Sequence, residues 1–413
     1  MVDSTLALMT NGYAWLPDRR RRGGGAPVRT RLLGRDTVAI HGPDAVRFFY
    51  DDRHVRRSGA LPGPLLDTLF GRGAVHTLDG RAHRVRKALF VALLGDRGGL
   101  DSLAGHLRRE WDRAAREWIG RERVVLFDEA AVVLTRAVCA WAGLPLADED
   151  AAGTARDLVA MVDGFASAGP RHVRARRARA RQEARLARLV QANQSGTADE
   201  PAPVGSVLAT VAAHRDADGR LVDPHTAAVE ILNVIRPTVA VAWFLTFAAH
   251  ALHRWPEHRK AVADGDPSWA RAFAHEVRRF YPFAPFVGGL AAKDLRWEGQ
   301  DIPAGSLVLL DLYGQNHDPA LWPEPYAFDP GRFLGREPDR DTLVPQGGGD
   351  PDTQHRCPGE DVTLTVLETL VPRLAALEYD VPDQDLRIPL DRVPTAPRSG
   401  FVLSSVQQKG ISS

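Results

Sequence analysis

The chain has 413 residues, 44% hydrophobic and 25% charged, a globular mixture that excludes disordered and fibrous classes. Lys and Arg total 53 against 52 Asp and Glu, so the net charge of +1 exerts no global pull toward nucleic acid. Two cysteines, Cys139 and Cys357, exclude a disulfide scaffold and a four-cysteine zinc site.

Near the N-terminus the apolar residues 6–9 precede the basic run 19–22, the reverse of a secretory signal, so the cytosol is the expected compartment. Residues 28–40 alternate about Gly34 and predict early strands. Helical periodicity follows at 81–94, 103–118, 128–142 and 157–168. A basic helix is expected from 171 to about 191, its arginines forming a solvated face with at most a mild attraction for anionic acyl chains or membrane surfaces. No zinc spacing, aromatic platform or helix-turn-helix accompanies it, so no nucleic-acid partner is expected. Residues 194–204 read as a surface loop. The stretch 226–253 predicts one long buried helix interrupted at Arg236-Pro237. Its longest apolar run, 239–252, falls short of the roughly 20 residues that span a bilayer, so no transmembrane segment is expected. Helices return at 269–280 and 359–377, with short strands at 295–297 and 306–310. Residues 323–356 are dense in Pro, Gly, Asp and Arg and predict irregular chain, a common carrier of function. No repeat or long linker divides the chain.

Cys357 ends a segment that begins Gln346-Gly347-Gly348-Gly349 and opens the Pro358-Gly359-Glu360 helix start. Glycines there allow close backbone approach to a flat ligand. A cysteine at a helix N-terminus beside His355 and Arg356 has its thiolate favoured. An inert buried thiol, a nucleophile and a single thiolate metal ligand all fit this loop. Glu276 and Arg279 are neighbours on one helix face and Arg332 could join them, although such a pair is usually a solvated surface contact.

In order and spacing, Glu276 with Arg279, then Phe328-Asp329-Pro330-Gly331-Arg332-Phe333, then the glycine-rich loop ending at Cys357-Pro358-Gly359 resemble the cytochrome P-450 superfamily. The resemblance covers essentially the whole chain. It implies a single haem domain over 1–413, mainly α with a minor β region, with the Cys357 thiolate as axial ligand of the iron in haem b, iron protoporphyrin IX. It also implies that Glu276, Arg279 and Arg332 form a buried structural triad. Asp79-Gly80-Arg81-Ala82-His83 with Lys87 resembles the family helix that meets the haem propionates, which makes His83 and Lys87 cofactor-binding candidates. A plain polar helix-face role for His83 is the alternative. The loop before Cys357 is longer than the family pattern, and Val344 stands near a usual aromatic position.

Oxygen-using members carry an acid followed by an alcohol at the centre of the long helix, where this chain has Arg236-Pro237. Neither side chain can relay protons at neutral pH. Flanked by Val234, Ile235, Val239 and Ala240, the Arg236 guanidinium is expected to be buried and must be paired. Its partner is either a protein acid or a carboxylate-bearing substrate held in bidentate geometry. Pro237 removes a helical hydrogen bond and opens the helix locally.

Together NVIRPTVAVAWF, EVRRFYPFAPF and QGGG…HRCPGE closely resemble the fatty-acid peroxygenase branch of that superfamily. The resemblance implies hydrogen peroxide as oxidant, a fatty acid or related carboxylic acid as substrate, and no obligatory redox partner. It assigns Arg236 the substrate carboxylate, so that the α and β carbons lie nearest the iron, with hydroxylation there and decarboxylation to a terminal alkene as a branch. His76 stands where hydroxylating members often have Gln and decarboxylating members His, and its ordinary pKa suits proton donation or water ordering. Phe70, Pro237, Phe286, Val287, Gly288 and Gly289 are candidate pocket walls, with ordinary core as the alternative for the apolar ones. A partner-dependent monooxygenase of a specialised metabolite, with Arg236 paired internally, and a non-catalytic haem-binding sensor are the competing functions.

Overall fold

The computed structural model describes residues 2–407. Asp223 sets the start of the central helix: its carboxylate accepts the N–H groups of His225 (3.1 Å) and Thr226 (3.0 Å), and Pro224 fills the first turn, where no donor is needed. The helix runs over Pro224–Val239 and restarts at Val241–Arg254. The expected single helix is therefore two joined segments. Pro237 has no N–H for the Asn233 carbonyl, and the chain tightens at Ala240, whose carbonyl accepts from Trp243 N–H at 3.1 Å. The combined run of 31 residues is long and apolar enough to cross a membrane by length and composition, longer than the uninterrupted apolar stretch. Its most apolar 18-residue window is 94% buried inside the fold, and the run packs against the helices Leu126–Ala142, Pro170–Ser195 and Glu360–Ala376. A helix apolar all round is one that is covered all round.

Three small sheets flank this helical body. The largest has the spatial order Val28–Leu32, Arg35–Ile40, Leu307–Asp311, Phe286–Ala291, Val55–Arg56, with only the second and third strands parallel. The hairpin of the first two strands turns through Leu33 and Gly34, as the alternation about Gly34 predicts. A second sheet orders Val124–Val125, Val402–Gln407 and Glu378–Asp380, and Leu295–Trp297 pairs with Gln300–Ile302.

Most expected helices appear near their predicted bounds. The exception is the one expected at 157–168, which spans Asp148–Asp163. Its first turn, Asp148-Glu149-Asp150, is acidic and stabilises a helix N-terminus through the macrodipole, a signal that outweighs apolar spacing there. Residues 323–356 are irregular except for the short 3-10 turn Pro330–Phe333.

Candidate active site

The loop before Cys357 folds over the helix Pro43–Tyr50. A Cβ at Gly347 would lie 2.2 Å from Tyr50 Oη, and one at Gly348 would lie 2.2 Å from Val46 Cγ1. The glycines therefore let the loop sit closely on Tyr50 and Val46. Val344 is buried in the same cluster as Val46, Phe49 and Tyr50. Cys357 is half-buried, its N–H directed at Gln346 O (3.4 Å), with Gln346 Nε2 at 3.8 Å from Sγ. The helix Glu360–Ala376 starts just beyond it. Arg278 and Arg356 both bond Glu360; burial alone would raise that carboxyl, but the two guanidinium groups hold it at about 2.

The helix Gly80–Leu94 brings two predicted residues beside this loop. Lys87 Nζ donates to the Arg356 carbonyl, and burial pushes its ammonium down to about 8 against the pull of Cys357. His83 stacks on His355 at 3.7 Å with rings inclined by 22°. Burial and then Lys87 lower His83 to about 4, and burial with Arg57 lowers His355 further. Arg57 completes the corner, its guanidinium 4.1 Å above the Phe49 ring and its Nη1 buried without a hydrogen-bond partner. Gly289 makes room for it, since a Cβ there would sit 2.3 Å from Arg57 Nη1. Asp79, the nearby acid, accepts from the N–H groups of Arg57 (2.9 Å) and Ser58 (2.8 Å). A cation-rich corner beside a half-buried thiol fits a group with acidic arms and an axial thiolate. Arg57 went unassigned in the sequence because no local pattern marks it, and His355 was read there only as a neighbour of Cys357.

Glu276, Arg279 and Arg332 come together as expected. Arg279 grips Glu276 through two bonds of 2.7 Å, both side chains being completely buried, and also donates to the carbonyls of Asn316 and Pro325. Arg332 Nε lies 3.7 Å from Glu276 Oε1, and Asp329 N–H donates to the same oxygen at 2.8 Å.

On the central helix, Glu230, Asn233 and Arg236 follow one another at three-residue spacing on one face. Arg236 is 6% exposed. Its Nη2 donates to Asn233 Oδ1 at 3.1 Å, its buried Nε has no partner, and no carboxylate among the described residues pairs with it. Burial, then the charge of Arg179, pushes Arg236 down to about 9, while Cys357 acts in the opposite sense. Pro237 is the one exposed position between Ala227 and Leu252, so the helix break is not covered by packed core. The short segment Leu66–Phe70 places Phe70 4.8 Å from the His76 ring, centroid to centroid. His76 Nδ1 is buried without a partner, and burial followed by Arg236 and Lys87 pushes the imidazole down to about 3. Its surroundings thus favour the neutral imidazole. A second guanidinium enters from the basic helix: Arg179, 2% exposed, donates to the Leu69 carbonyl at 2.7 Å and pairs with Glu183 at 2.7 Å. Phe286, Val287 and Gly288 on the strand Phe286–Ala291 are half-buried. Phe286 packs against Trp15, Leu16 and Leu309, Val287 against the Val38–Phe49–Leu310 cluster, and Gly288 faces Leu309.

Set beside known proteins, residues 269–375 match the family model for cytochrome P450. The chain spans 24%, 46% and 21% of the length of three curated relatives that it matches. Solved structures match along the whole fold. A mutant of cytochrome P450SP alpha (CYP152B1) is 42% identical with a TM-score of 0.95, covering 99% of this chain and 100% of that one. Cytochrome P450EX alpha (CYP152N1), solved with myristic acid, is 36% identical with a TM-score of 0.94 and 98% coverage of both chains. Ligand-free cytochrome P450 OleT is 35% identical with a TM-score of 0.96, covering 100% of this chain and 98% of that one. A thiol at a helix start, a buried Glu–Arg pair behind it and a fold shared over nearly every residue place this chain in the cytochrome P450 family of haem-iron oxidoreductases, among its CYP152 members.

Proposed function

We propose that this protein is a peroxygenase that uses hydrogen peroxide to oxidise fatty acids or related carboxylic acids at the α or β carbon, with decarboxylation as a branch. The observation that carries the proposal is Arg236: a buried guanidinium, bonded among the described residues only to an amide oxygen, beside Pro237, the one exposed position between Ala227 and Leu252. An unpaired buried charge is costly, and a carboxylate in bidentate geometry is the partner that relieves it. The CYP152 relative solved with myristic acid supports a carboxylic acid as that partner.

Haem b, bound through Cys357 with its propionates among Lys87, Arg57, His83 and His355, supplies peroxide O–O cleavage and oxygen transfer. The protein's own residues do the rest. Arg236, still protonated at neutral pH, binds and orients the acid by its carboxylate, so that the α and β carbons next to that carboxylate are the ones presented for oxidation. The bound carboxylate is the acid–base group at hand, because Arg236 keeps its proton and Pro237 has none to give. His76, whose neutral form its surroundings favour, acts through hydrogen bonds, and Phe70, its ring inclined by 52° to the imidazole, stands beside it as a wall. Glu276, Arg279 and Arg332 hold the loop around Asp329 behind the cofactor. Hydrogen peroxide replaces reduced dioxygen, so no redox partner is required; one haem domain and a cytosolic location complete the proposal.

The test compares oxidation of a long-chain acid with peroxide alone against oxidation with a reductase and NAD(P)H. Turnover with peroxide alone is expected. Turnover only with the reductase identifies a partner-dependent monooxygenase, and none in either assay identifies a haem-binding sensor.

A further inference from the structure

Glu230 is an acid, 1% exposed, in the middle of the buried helix Pro224–Val239. Its Oε1 accepts Arg86 Nη1 at 2.7 Å and the N–H of Val75, the residue before His76, at 2.8 Å. Its Oε2 accepts Asn233 Nδ2 at 3.1 Å. The same Nδ2 donates to the Phe70 carbonyl at 3.0 Å, and Asn233 Oδ1 accepts Arg236 Nη2 at 3.1 Å. Every polar atom of this amide and carboxylate is therefore engaged, and their partners are the three candidate groups around the substrate: Arg236, the Phe70 wall and the His76 turn. These come from segments over 150 residues apart along the chain.

We propose that Glu230 and Asn233 are positioning residues that lock Arg236, Phe70 and the His76 turn into one register and thereby decide which carbon of a bound acid is oxidised. The proposal rests on the carboxylic-acid function above. Neither residue needs to touch substrate. Asn233 removes one of the rotational freedoms of a long arginine, so that the guanidinium meets the carboxylate in a single orientation. Glu230 ties that orientation to the height of His76. A network whose members are all satisfied is stiff, and removing one member loosens the others. An offset of about one C–C bond between the guanidinium and the His76 turn is enough to exchange the α for the β carbon. Burial raises the Glu230 carboxyl, and Arg86 with the Asn233 and Val75 donors opposes that shift.

The experiment uses the holoenzyme, a straight-chain C14 acid, peroxide and imidazole as a neutral haem ligand. Asn233→Ala removes the only hydrogen-bond partner of Arg236, so acid affinity read by spectral titration is expected to fall about tenfold. The α-hydroxy, β-hydroxy and alkene fractions should redistribute, while imidazole affinity and the thiolate-type ferrous carbon monoxide spectrum stay as in wild type. Glu230→Gln, which keeps the shape, should change the product fractions at equal haem content. A merely structural role would reduce haem content and all activities together and leave the product fractions fixed; that result, or Asn233→Ala within twofold of wild type in both affinity and fractions, overturns the proposal. Wild-type enzyme that gives no spectral response to the acid overturns the carboxylic-acid function itself.

Discussion

Arg236 and Asn233 meet at 3.1 Å, and through that one amide oxygen the guanidinium is held in a site that offers it no acid. Burial has pushed the group down to about 9, yet it remains charged at pH 7. Removing one partner of a buried ion pair costs about 3–5 kcal/mol, or two to four decades of affinity. Arg236→Ala should therefore weaken fatty-acid binding by that much and nearly abolish peroxide-driven turnover while haem stays bound. A small acid such as acetate should support peroxide-driven oxidation of a neutral substrate in wild type and fail to do so in the variant. Long-chain acids oxidised by Arg236→Ala at the wild-type rate would leave the residue without a catalytic role.

The same lack of a partner has a stability consequence. Arg236→Met removes the desolvation of an unpaired charge and fills the volume with an apolar chain, so the substrate-free protein should melt higher, by on the order of 1–2 °C per kcal/mol in a chain of this size. Thermal scans of both proteins, with and without a fatty acid, decide it: the acid should raise the midpoint of wild type and leave that of the variant unchanged. A lower midpoint for the variant would mean that Arg236 is already paired in the resting protein.

Lys87 gives a pH dependence with a defined sign. Its ammonium lies near about 8 rather than the usual range because it is buried. A haem propionate binds the protonated form, so protein free of haem must take up a proton above that value before it can bind. Haem affinity, followed by the Soret band, should fall about tenfold between pH 7 and pH 9 in wild type. Lys87→Arg, which keeps its charge, should flatten that slope, and an identical slope in the two proteins would remove Lys87 from the propionate site.

Cys357→Ala should lose the long-wavelength Soret band of the ferrous carbon monoxide complex, the signature of thiolate ligation. Persistence of that band would exclude Cys357 as the axial ligand.

His76 is neutral, held at about 3 by burial and by the charges of Arg236 and Lys87. His76→Gln should therefore change the alkene-to-hydroxy-acid ratio without altering the pH profile of turnover between pH 5 and 8. An ionisation near pH 6–7 that disappears in the variant would show that the imidazole titrates during turnover.

What the sequence determined by itself was local. The Glu276–Arg279 pair, the Cys357-Pro358-Gly359 helix start and the Arg236-Pro237 interruption are legible because helical geometry fixes what three or four residues of separation bring together, and because proline breaks a bond wherever it stands. Tertiary structure alone decided the partners of those groups. Arg57 reaches its corner because Gly289 yields the space on a strand paired to its own, and Glu230 finds Val75 and Arg86 across 155 and 144 residues of chain. The strand Phe286–Ala291 shows the same limit from the other side: the alternation of the sheet puts Phe286 and Val287 against different clusters, one around Trp15 and Leu309 and one around Val38 and Leu310. Which face a side chain takes, and which distant group satisfies a buried charge, depends on packing between elements, and no local period in the sequence encodes it.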